Sequence, residues 1–364
     1  MNKEIDQLNL PNDTFIVEGR DLMYLLKSFT AKSMTLRNRI VMPPMCMYSA
    51  GTDGISNEFH FTHYTSRAVG GAGLIIMEAT GVLPWGRISD HCLGLWNDEQ
   101  AKALAPIVTA CRNQGAKMAI QLNHAGRKCG AQEKVIYAPS AIPFSEEYPM
   151  PYEMTESDIQ DTINAFRSSA TRANEIGFDA IEIHGAHGYL ISEFLSPLTN
   201  HRTDAYGGSM ENRCRILIEI LKAVHEVWPD DKPVLLRVSA EDYEPDGMHK
   251  EEMSEIIELV KPYIDVLDVS TGGVVSTPPS AIYPGYQVKI TEWLKQKTGL
   301  PTVAVGLIME PHQVEEILGG ERADLVALGR ELLRDPYWVL HAARDMDVEY
   351  PWPEPYMRGF QAKK

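Results

Sequence analysis

The sequence predicts an α/β fold, a single (β/α)8 TIM barrel. Eight short runs rich in Val, Ile and Leu recur along the chain, nearly uniformly apolar, as strands covered on both faces should be. Helix-length amphipathic segments separate the runs. No Gly-x-Gly-x-x-Gly follows any run, and "GGAGL" at 70–74 lacks that spacing, which disfavours a doubly wound sheet. A closed barrel is the simplest arrangement that remains.

The connections between the predicted strands fit this fold. A helix is predicted after the N-cap Ser209, because Ile216, Ile220 and Val224 recur there at helical spacing. The longest connection, residues 125–154, contains four prolines and follows strand three, where barrel enzymes build lids, so we expect a lid-like insertion. The predicted strands are "RIVMPPM" from Arg39, "GLIIMEAT" from Gly73, "KMAIQLNH" from Lys117, "AIEIHG" from Ala180, "VLLRVSA" from Val234, "VLDVSTGG" from Val266, "PTVAVG" from Pro301 and "LVALGR" from Leu325.

Composition limits the partners of this chain. Its 364 residues are 44% hydrophobic, and the formal charge of −16 would repel nucleic acid and anionic membrane surfaces. The sequence has no signal-peptide pattern and no apolar run of membrane-spanning length. Five cysteines, odd in number and widely spaced, indicate no disulfide framework, so we expect a cytoplasmic protein. We expect an N-terminal extension over residues 1–25 and the barrel, with a C-terminal arm, over 26–364.

Barrel active sites lie at the carboxyl ends of the strands, so residues there are candidates. His184 and His187 could bind a metal, could be structural, or could donate together to one substrate oxygen, with Tyr189 as a proton source. Arg237 should point into the barrel mouth and meet an anion or a carboxylate such as Glu182. The other strand-end candidates are Cys46, a buried thiol or a functional one, and Ala79, Gln121, Gly306, Gly329 and Arg330, of which the last three would suit a phosphate or tight turns.

Five motifs resemble the Old Yellow Enzyme family of flavoproteins: "PPMCMY", "IQLNHAGRK", "EIHGAHGYLISEFLSPLTNHRTDAYGGSMENR", "LLRVSAEDY" and "ALGRELLRDP". The resemblance extends from about residue 28 to about residue 360. It is strongest to the thermophilic-like subclass of FMN-dependent ene-reductases, of the NADPH dehydrogenase type, because of Cys46 and the second histidine, His187.

The resemblance implies a noncovalently bound FMN. Gln121 would contact the pyrimidine edge, and Arg237 would lie beside N1 and O2, where the reduced ring is negative. Cys46 would tune the O4 and N5 side. Backbone at Pro43, Pro44, Met45 and Ala79 would line the ring, and the phosphate would be held by Gly306, Gly329 and Arg330.

The resemblance also implies a reaction. NADPH or NADH would reduce FMN, which would pass hydride to the β-carbon of an activated alkene such as an enone, enal, maleimide or nitroalkene, in ping-pong order. His184 and His187 would bind the substrate oxygen, Tyr189 would protonate the α-carbon, and Tyr48 would pack on the substrate. Arg358 resembles an arginine inserted into a neighbouring protomer, which implies a homodimer or homotetramer.

Three alternatives stay open from sequence. A flavin-binding barrel without turnover would need neither His184 nor Tyr189, whereas a metal-dependent barrel hydrolase or lyase would be colourless. A dienoyl-CoA reductase would need an additional iron–sulfur and nucleotide-binding region and a cysteine cluster that this chain lacks.

Overall fold

Each apolar run forms a strand, and eight strands close into one parallel barrel. The computed structural model describes residues 23–132, 135–279 and 281–359. Within the described ranges, the strands are β1 Phe29–Ala31, β2 Met34–Leu36, β3 Ile40–Met42, β4 Leu74–Gly81, β5 Lys117–Asn123, β6 Tyr137–Ala138, β7 Tyr152–Glu153, β8 Ala180–Gly185, β9 Val234–Ser239, β10 Val266–Ser270, β11 Thr302–Ala304 and β12 Leu325–Ala327. Going around the barrel, the strands are β3, β4, β5, β8, β9, β10, β11 and β12, and β12 pairs with β3 to complete the closure. The predicted (β/α)8 barrel is confirmed.

Helices follow the barrel strands and cover the outside of the sheet. Four long helices begin at side-chain caps, in which Asn57, Asn97, Thr155 and Ser209 accept a backbone N–H of the first turn. The helix predicted after Ser209 is confirmed. The α-helices are α1 Glu58–Val69, α2 Asp98–Asn113, α3 Glu156–Glu175, α4 Leu190–Leu195, α5 Met210–His225, α6 Lys250–Val260, α7 Val288–Thr298, α8 Pro311–Gly319, α9 Gly329–Arg334 and α10 Trp338–Asp345.

The inside of the barrel changes character along its axis. At the amino end of the strands, inward residues such as Ala180, Leu235 and Val266 form an apolar cluster with the β1–β2 hairpin. Residues that point outward, such as Leu236, pack in the separate core between sheet and helices. Because successive side chains alternate between the two faces, position 237 on β9 points inward, as predicted for this arginine. The carboxyl half of the interior is therefore polar.

Three aspartates at the amino end of the barrel share one arrangement. Asp179, Asp265 and Asp324 each immediately precede a barrel strand. Each accepts a hydrogen bond from a backbone N–H at the start of the neighbouring strand, at 2.8–3.0 Å. Each also pairs with a lysine, at 3.0–3.2 Å. These carboxylates hold adjacent strands together where the barrel begins.

The predicted insertion after the third barrel strand lies over the carboxyl end. It contains a 3-10 turn, Gly126–Lys128, and the two short paired strands β6 and β7. Arg202 anchors the insertion by donating to the carbonyls of Pro139 at 3.0 Å and Met154 at 2.6 Å. Arg202 thus holds the insertion at the residues that directly follow β6 and β7.

The predicted N-terminal extension, residues 1–25, lies outside the described residues except for 23–25. There the backbone N–H groups of Tyr24 and Leu25 donate to Glu315 on α8, and Leu25 is buried. A search of the described helices finds none with the length and hydropathy to cross a membrane.

Candidate active site

A cavity of about 240 Å³ opens at the carboxyl end of the barrel. Its lining includes Arg237 of β9, Ser270 of β10, Gly306 after β11, and Gly329 and Arg330 after β12. The structure therefore brings four of the sequence-predicted site residues around one space, and it adds Ser270, which the sequence analysis did not select.

Backbone conformation shapes the end of the cavity near β11 and β12. Gly306 has φ +121°, a conformation that side chains rarely adopt, and its carbonyl accepts the N–H of Gly285 at 2.7 Å. Gly329 begins α9, whose first N–H groups have no acceptor within the helix, and the exposed Arg330 follows it. Unpaired N–H groups beside a guanidinium suit a phosphate.

A polar layer lies below the cavity, inside the barrel. Gln121 Nε2 donates to Glu182 Oε1 at 2.8 Å. Arg237 Nε lies 3.3 Å from Asp268 Oδ2, without the alignment of a hydrogen bond, so the contact is one of charge. The carboxylate that the sequence analysis expected beside Arg237 is therefore Asp268, which was not singled out. Burial, and then the neighbouring Asp268, raise the pKa of Glu182 well above its usual value.

The two predicted histidines are neighbours at the mouth of the barrel. The rings of His184 and His187 meet edge to face, with centroids 5.3 Å apart. His184 Nδ1 accepts the N–H of Ala186 at 3.3 Å, so the neutral ring carries its proton on Nε2. His187 Nε2 lies 2.8 Å from Ser270 Oγ, which orients the ring. Burial lowers the pKa of both histidines well below its usual value, so both are neutral at pH 7.

Tyr189 completes the group. Its ring centroid lies 5.0 Å from that of His184, again edge to face. Burial, and then neighbouring acidic groups, raise the pKa of the Tyr189 hydroxyl, which therefore keeps its proton. Lys128, from the lid-like insertion, places its ammonium 5.1 Å from the Tyr189 ring centroid and donates to the His187 carbonyl at 2.9 Å. Burial lowers the pKa of Lys128 to about 8.

The loop after β3 carries Pro43, Pro44, Met45, Cys46 and Tyr48. Pro43 is buried, Tyr48 is 53% exposed, and Tyr48 has φ +51°. Pro43 and Met45 lie beside Gly329, since a Cβ on that glycine would be 3.7 Å from Pro43 and 3.6 Å from Met45. This loop therefore borders the cavity opposite β9.

Cys46 has a partner that sequence reasoning missed. Its thiol hydrogen-bonds to Cys92, which together with burial raises the pKa of Cys46 well above its usual value. The Cys46 thiol also contacts the backbone of Ala79, where a register irregularity interrupts the β4–β5 pairing. All five cysteines are free thiols. Arg358, in the terminal 3-10 segment, is exposed in this single chain.

The residues present fit a flavin. Arg237 Nε and Gln287 Oε1 are buried beside the cavity, and Asn123 Oδ1 and His124 Nε2 are buried at the end of β5 and just beyond it. None of these atoms has a hydrogen-bond partner among the described residues, although Arg237 Nε is in charge contact with Asp268. Buried polar atoms without partners are costly, and a ligand with a polar edge would satisfy them. In the described part of the chain, no three His, Cys, Asp or Glu side chains converge as metal ligands would.

The sequence analysis missed five residues of the site, namely Lys128, Asp268, Ser270, Gln287 and Cys92. Asp268 was visible as a charge inside the apolar run "VLDVS". The other four carried no comparable signal, because their position at the site depends on loop paths and on contacts between distant strands.

Known proteins resemble this chain along most of its length. Residues 24–349 match the profile of the NADH:flavin oxidoreductase / NADH oxidase family. An NADPH dehydrogenase from Clostridium acetobutylicum is 55% identical over 339 residues, which are 93% of this chain and 100% of that protein.

Solved structures show the same fold. Morphinone reductase superposes with a TM-score of 0.77 at 26% identity, with 92% of each chain covered, and it has also been solved in complex with tetrahydroNAD. A 2-naphthoyl-CoA reductase gives a TM-score of 0.84 at 25% identity over 89% of this chain. Only 52% of that reductase is covered, so this chain spans about half its length.

Proposed function

We propose that this chain, which belongs to the NADH:flavin oxidoreductase / NADH oxidase family, reduces activated alkenes. It is an oxidoreductase whose cofactors are FMN and a nicotinamide dinucleotide. The proposed substrates are enones, enals, maleimides and nitroalkenes. The observation that supports this choice is the group of two neutral histidines and a protonated tyrosine packed together at the barrel mouth.

Bound FMN would supply the hydride chemistry, taking a hydride from the nicotinamide and giving it to the β-carbon of the alkene. Arg237, with a guanidinium at the cavity wall, would face the negative charge of the reduced ring, and Gln121 would hold the pyrimidine edge. Gly306, Gly329 and Arg330 would hold the phosphate. Backbone from Pro43 to Cys46 and at Ala79 would line the ring.

The histidines would bind the oxygen of the activating group. His184 presents an Nε2–H because its Nδ1 is occupied by the Ala186 N–H. A neutral hydrogen-bond donor in a buried site can stabilise the negative charge that develops on a substrate oxygen during the reaction. His187, oriented by Ser270, would be the second donor. The pair would polarise the alkene toward attack at its β-carbon.

Tyr189 would deliver the proton to the α-carbon. Its pKa is raised by burial, so the hydroxyl is protonated throughout the neutral pH range, and the ring is fixed against His184. Lys128, from the lid-like insertion, would hold the Tyr189 ring in place through its ammonium group. Below a pH of about 8 it would also keep a positive charge near the site. The exposed Tyr48 would pack on the substrate.

The nicotinamide would use the same cavity as the alkene. The sequence has no Gly-x-Gly-x-x-Gly fingerprint for a separate dinucleotide domain. Two substrates that share one site must take turns, which leads to ping-pong kinetics. We further propose a cytoplasmic homodimer or homotetramer in which Arg358 of one protomer reaches the site of its neighbour.

Anaerobic stopped-flow spectroscopy tests the proposal in two steps. NADPH or NADH should bleach the flavin absorption of the purified protein. Mixing the bleached protein with cyclohexenone, N-methylmaleimide or a nitroalkene should restore the colour and yield one equivalent of reduced alkene. Bleaching without reoxidation by any alkene would exclude ene-reduction, and a yellow protein that neither donor bleaches would favour a flavin barrel without turnover.

A further inference from the structure

Two carboxyl groups touch each other inside the barrel. Glu182 and Asp268 are both fully buried, and they lie close enough to share a proton between their side chains. Glu182 Oε2 and both oxygens of Asp268 have no N–H or O–H donor from any other described residue. Two ionised carboxylates in contact without donors would repel strongly in a poorly solvated interior. The pair must therefore hold one proton between them.

The surroundings decide which carboxyl holds that proton. Asp268 is the one paired with a cation, since Arg237 Nε lies 3.3 Å away. Apart from Asp268, the contact of Glu182 is the neutral amide of Gln121, at 2.8 Å, and Arg237 acts on Glu182 only through space. A positive neighbour favours the ionised form, so the negative charge rests on Asp268 and the proton on Glu182. Together, Arg237, Asp268 and Glu182 then carry one positive and one negative charge.

Few other charged groups face this pair. The neutral His184 lies above it on β8, and His187 and Lys128 lie higher at the barrel mouth. Glu78 of β4 is turned away, because it accepts hydrogen bonds from Met47 N–H and from the Tyr64 hydroxyl of α1. Among the residues described, Arg237 is the cation that touches both the acid pair and the cavity.

We propose that the negative charge of Asp268 partly offsets the positive charge of Arg237 and thereby lowers the reduction potential of the FMN bound above it. Glu182 stays protonated and neutral. The inference depends on the proposed function only in placing FMN in this cavity. A negative charge beside Arg237 weakens the attraction between that guanidinium and a reduced, anionic ring. Asp268 and Glu182 are positioning residues, since they act through Arg237.

The test compares two variants of the holoenzyme that differ only in the charge at position 268. Glu182→Gln places a neutral amide at position 182. Glu182→Gln/Asp268→Asn also removes the aspartate charge, and because position 182 is then an amide, no carboxylate can form there to replace that charge. The readouts are the two-electron reduction potential, measured with dithionite, and the affinity for sulfite, which binds to oxidised flavins as an anion.

Relative to Glu182→Gln, the double variant should bind sulfite at least about tenfold more tightly, the effect of a shift of about one pKa unit. Its potential should rise by at least about 30 mV, the equivalent of tenfold for a two-electron couple. Glu182→Gln alone should stay close to the parent. Asp265→Asn is the matched control, because Asp265 lies at the opposite end of the barrel beside β10.

Equal sulfite affinity in the two Glu182 variants would overturn the proposal, as would a large shift caused by Glu182→Gln alone. A second measurement needs no change at Asp268, in case the double variant fails to fold. The parent at pH 7 should show the infrared carbonyl stretch of a protonated acid that Glu182→Gln removes. An identical spectrum in parent and Glu182→Gln overturns the proton assignment. Because dithionite replaces NADPH, failure of the proposed ene-reductase reaction would be seen separately.

Discussion

The two ends of the barrel differ in how completely their polar groups are hydrogen-bonded. At the amino end, Asp179, Asp265 and Asp324 each find both a backbone N–H and a lysine. At the carboxyl end, Arg237 Nε and Gln287 Oε1 are buried without hydrogen-bond partners. The amino end completes these contacts within the chain, whereas the carboxyl end leaves some hydrogen-bonding atoms unpaired beside the cavity.

Backbone strain occurs at both ends but is more frequent at the carboxyl end. Tyr48, His187, Tyr243 and Leu307 have positive φ on loops that follow barrel strands. At the amino end, Lys32 and Glu321 have positive φ. A non-glycine residue in this region costs about 1 kcal/mol or more. The difference teaches that the amino end stabilises the fold, while the carboxyl end gives up stability for a binding site. Substitutions at the two ends should therefore affect different measurements.

The largest effect on turnover is expected from Tyr189→Phe. Loss of a positioned proton donor should slow reoxidation by an enone roughly 100- to 10,000-fold. Reduction by NADPH should remain within a few-fold of the parent, because that step needs no proton at carbon. Stopped-flow measurement of both half-reactions checks this. Equal slowing of the two would show that Tyr189 supports the fold of the site, as residues at the amino end support the barrel.

Particular residues show how much of this difference between the two ends could be predicted from the sequence. The alternation in "VLLRVSA" was sufficient to place Arg237 inside the barrel, and the strand ends located His184, His187, Gly306 and Gly329 at one rim. The partner Asp268 was not predicted, because the Arg237–Asp268 contact depends on the register between β9 and β10.

The amino end shows the same limit. Asp179, Asp265 and Asp324 each stand just before an apolar run in the sequence. Their shared function was not predicted, because it requires knowing which strands are neighbours. Lys128 was not predicted either, because it reaches the site from a long loop whose path has no periodic signal. Local sequence patterns predict the face of a strand on which a side chain lies. Contacts between different elements can be predicted only once the closed fold is known.

The next effect concerns the histidine pair. His184→Ala should slow alkene reduction roughly 100- to 1,000-fold, or about 3 kcal/mol. His187→Ala should cost less, because its Nε2 is already engaged with Ser270. The double variant should lose less than the product of the two single effects, since both would act on one oxygen. Multiplicative losses would indicate independent roles and would contradict the paired-donor mechanism.

A pH-dependent effect is expected from Glu193, a buried carboxyl on α4 at the carboxyl end. Burial raises its pKa to about 8, from an ordinary value near 4.5. A raised carboxyl pKa means that the folded protein binds more protons than the unfolded chain between those values, so stability falls as pH rises through that window. At about 1.4 kcal/mol per pKa unit, Glu193 should cost the parent a few kcal/mol by pH 8.

Glu193→Gln removes this dependence while keeping the shape of the side chain. Urea unfolding at pH 5 and pH 8 should show a smaller loss of stability in the variant than in the parent. The Gln amide oxygen can still accept the Arg127 N–H, which the carboxyl accepts at 2.9 Å. Parallel curves for the two proteins would show that this rim carboxyl is already ionised at pH 5.

The smallest effect on turnover is expected at the amino end, from Asp324→Ala. The substitution leaves the Thr302 N–H without its acceptor at 2.9 Å and removes the partner of Lys295 at 3.1 Å. A lost hydrogen bond to a charged group costs about 1.5–3 kcal/mol, which should appear as a lower urea midpoint. Lys295→Ala is the matched control, because it removes only a partly exposed ion pair worth at most about 1 kcal/mol. Reduction by NADPH and reoxidation by enone should keep their parent rates in both variants. If Asp324→Ala instead slowed either half-reaction tenfold with the flavin fully bound, the two ends of the barrel would be coupled, and the separation of stability from function drawn above would be wrong.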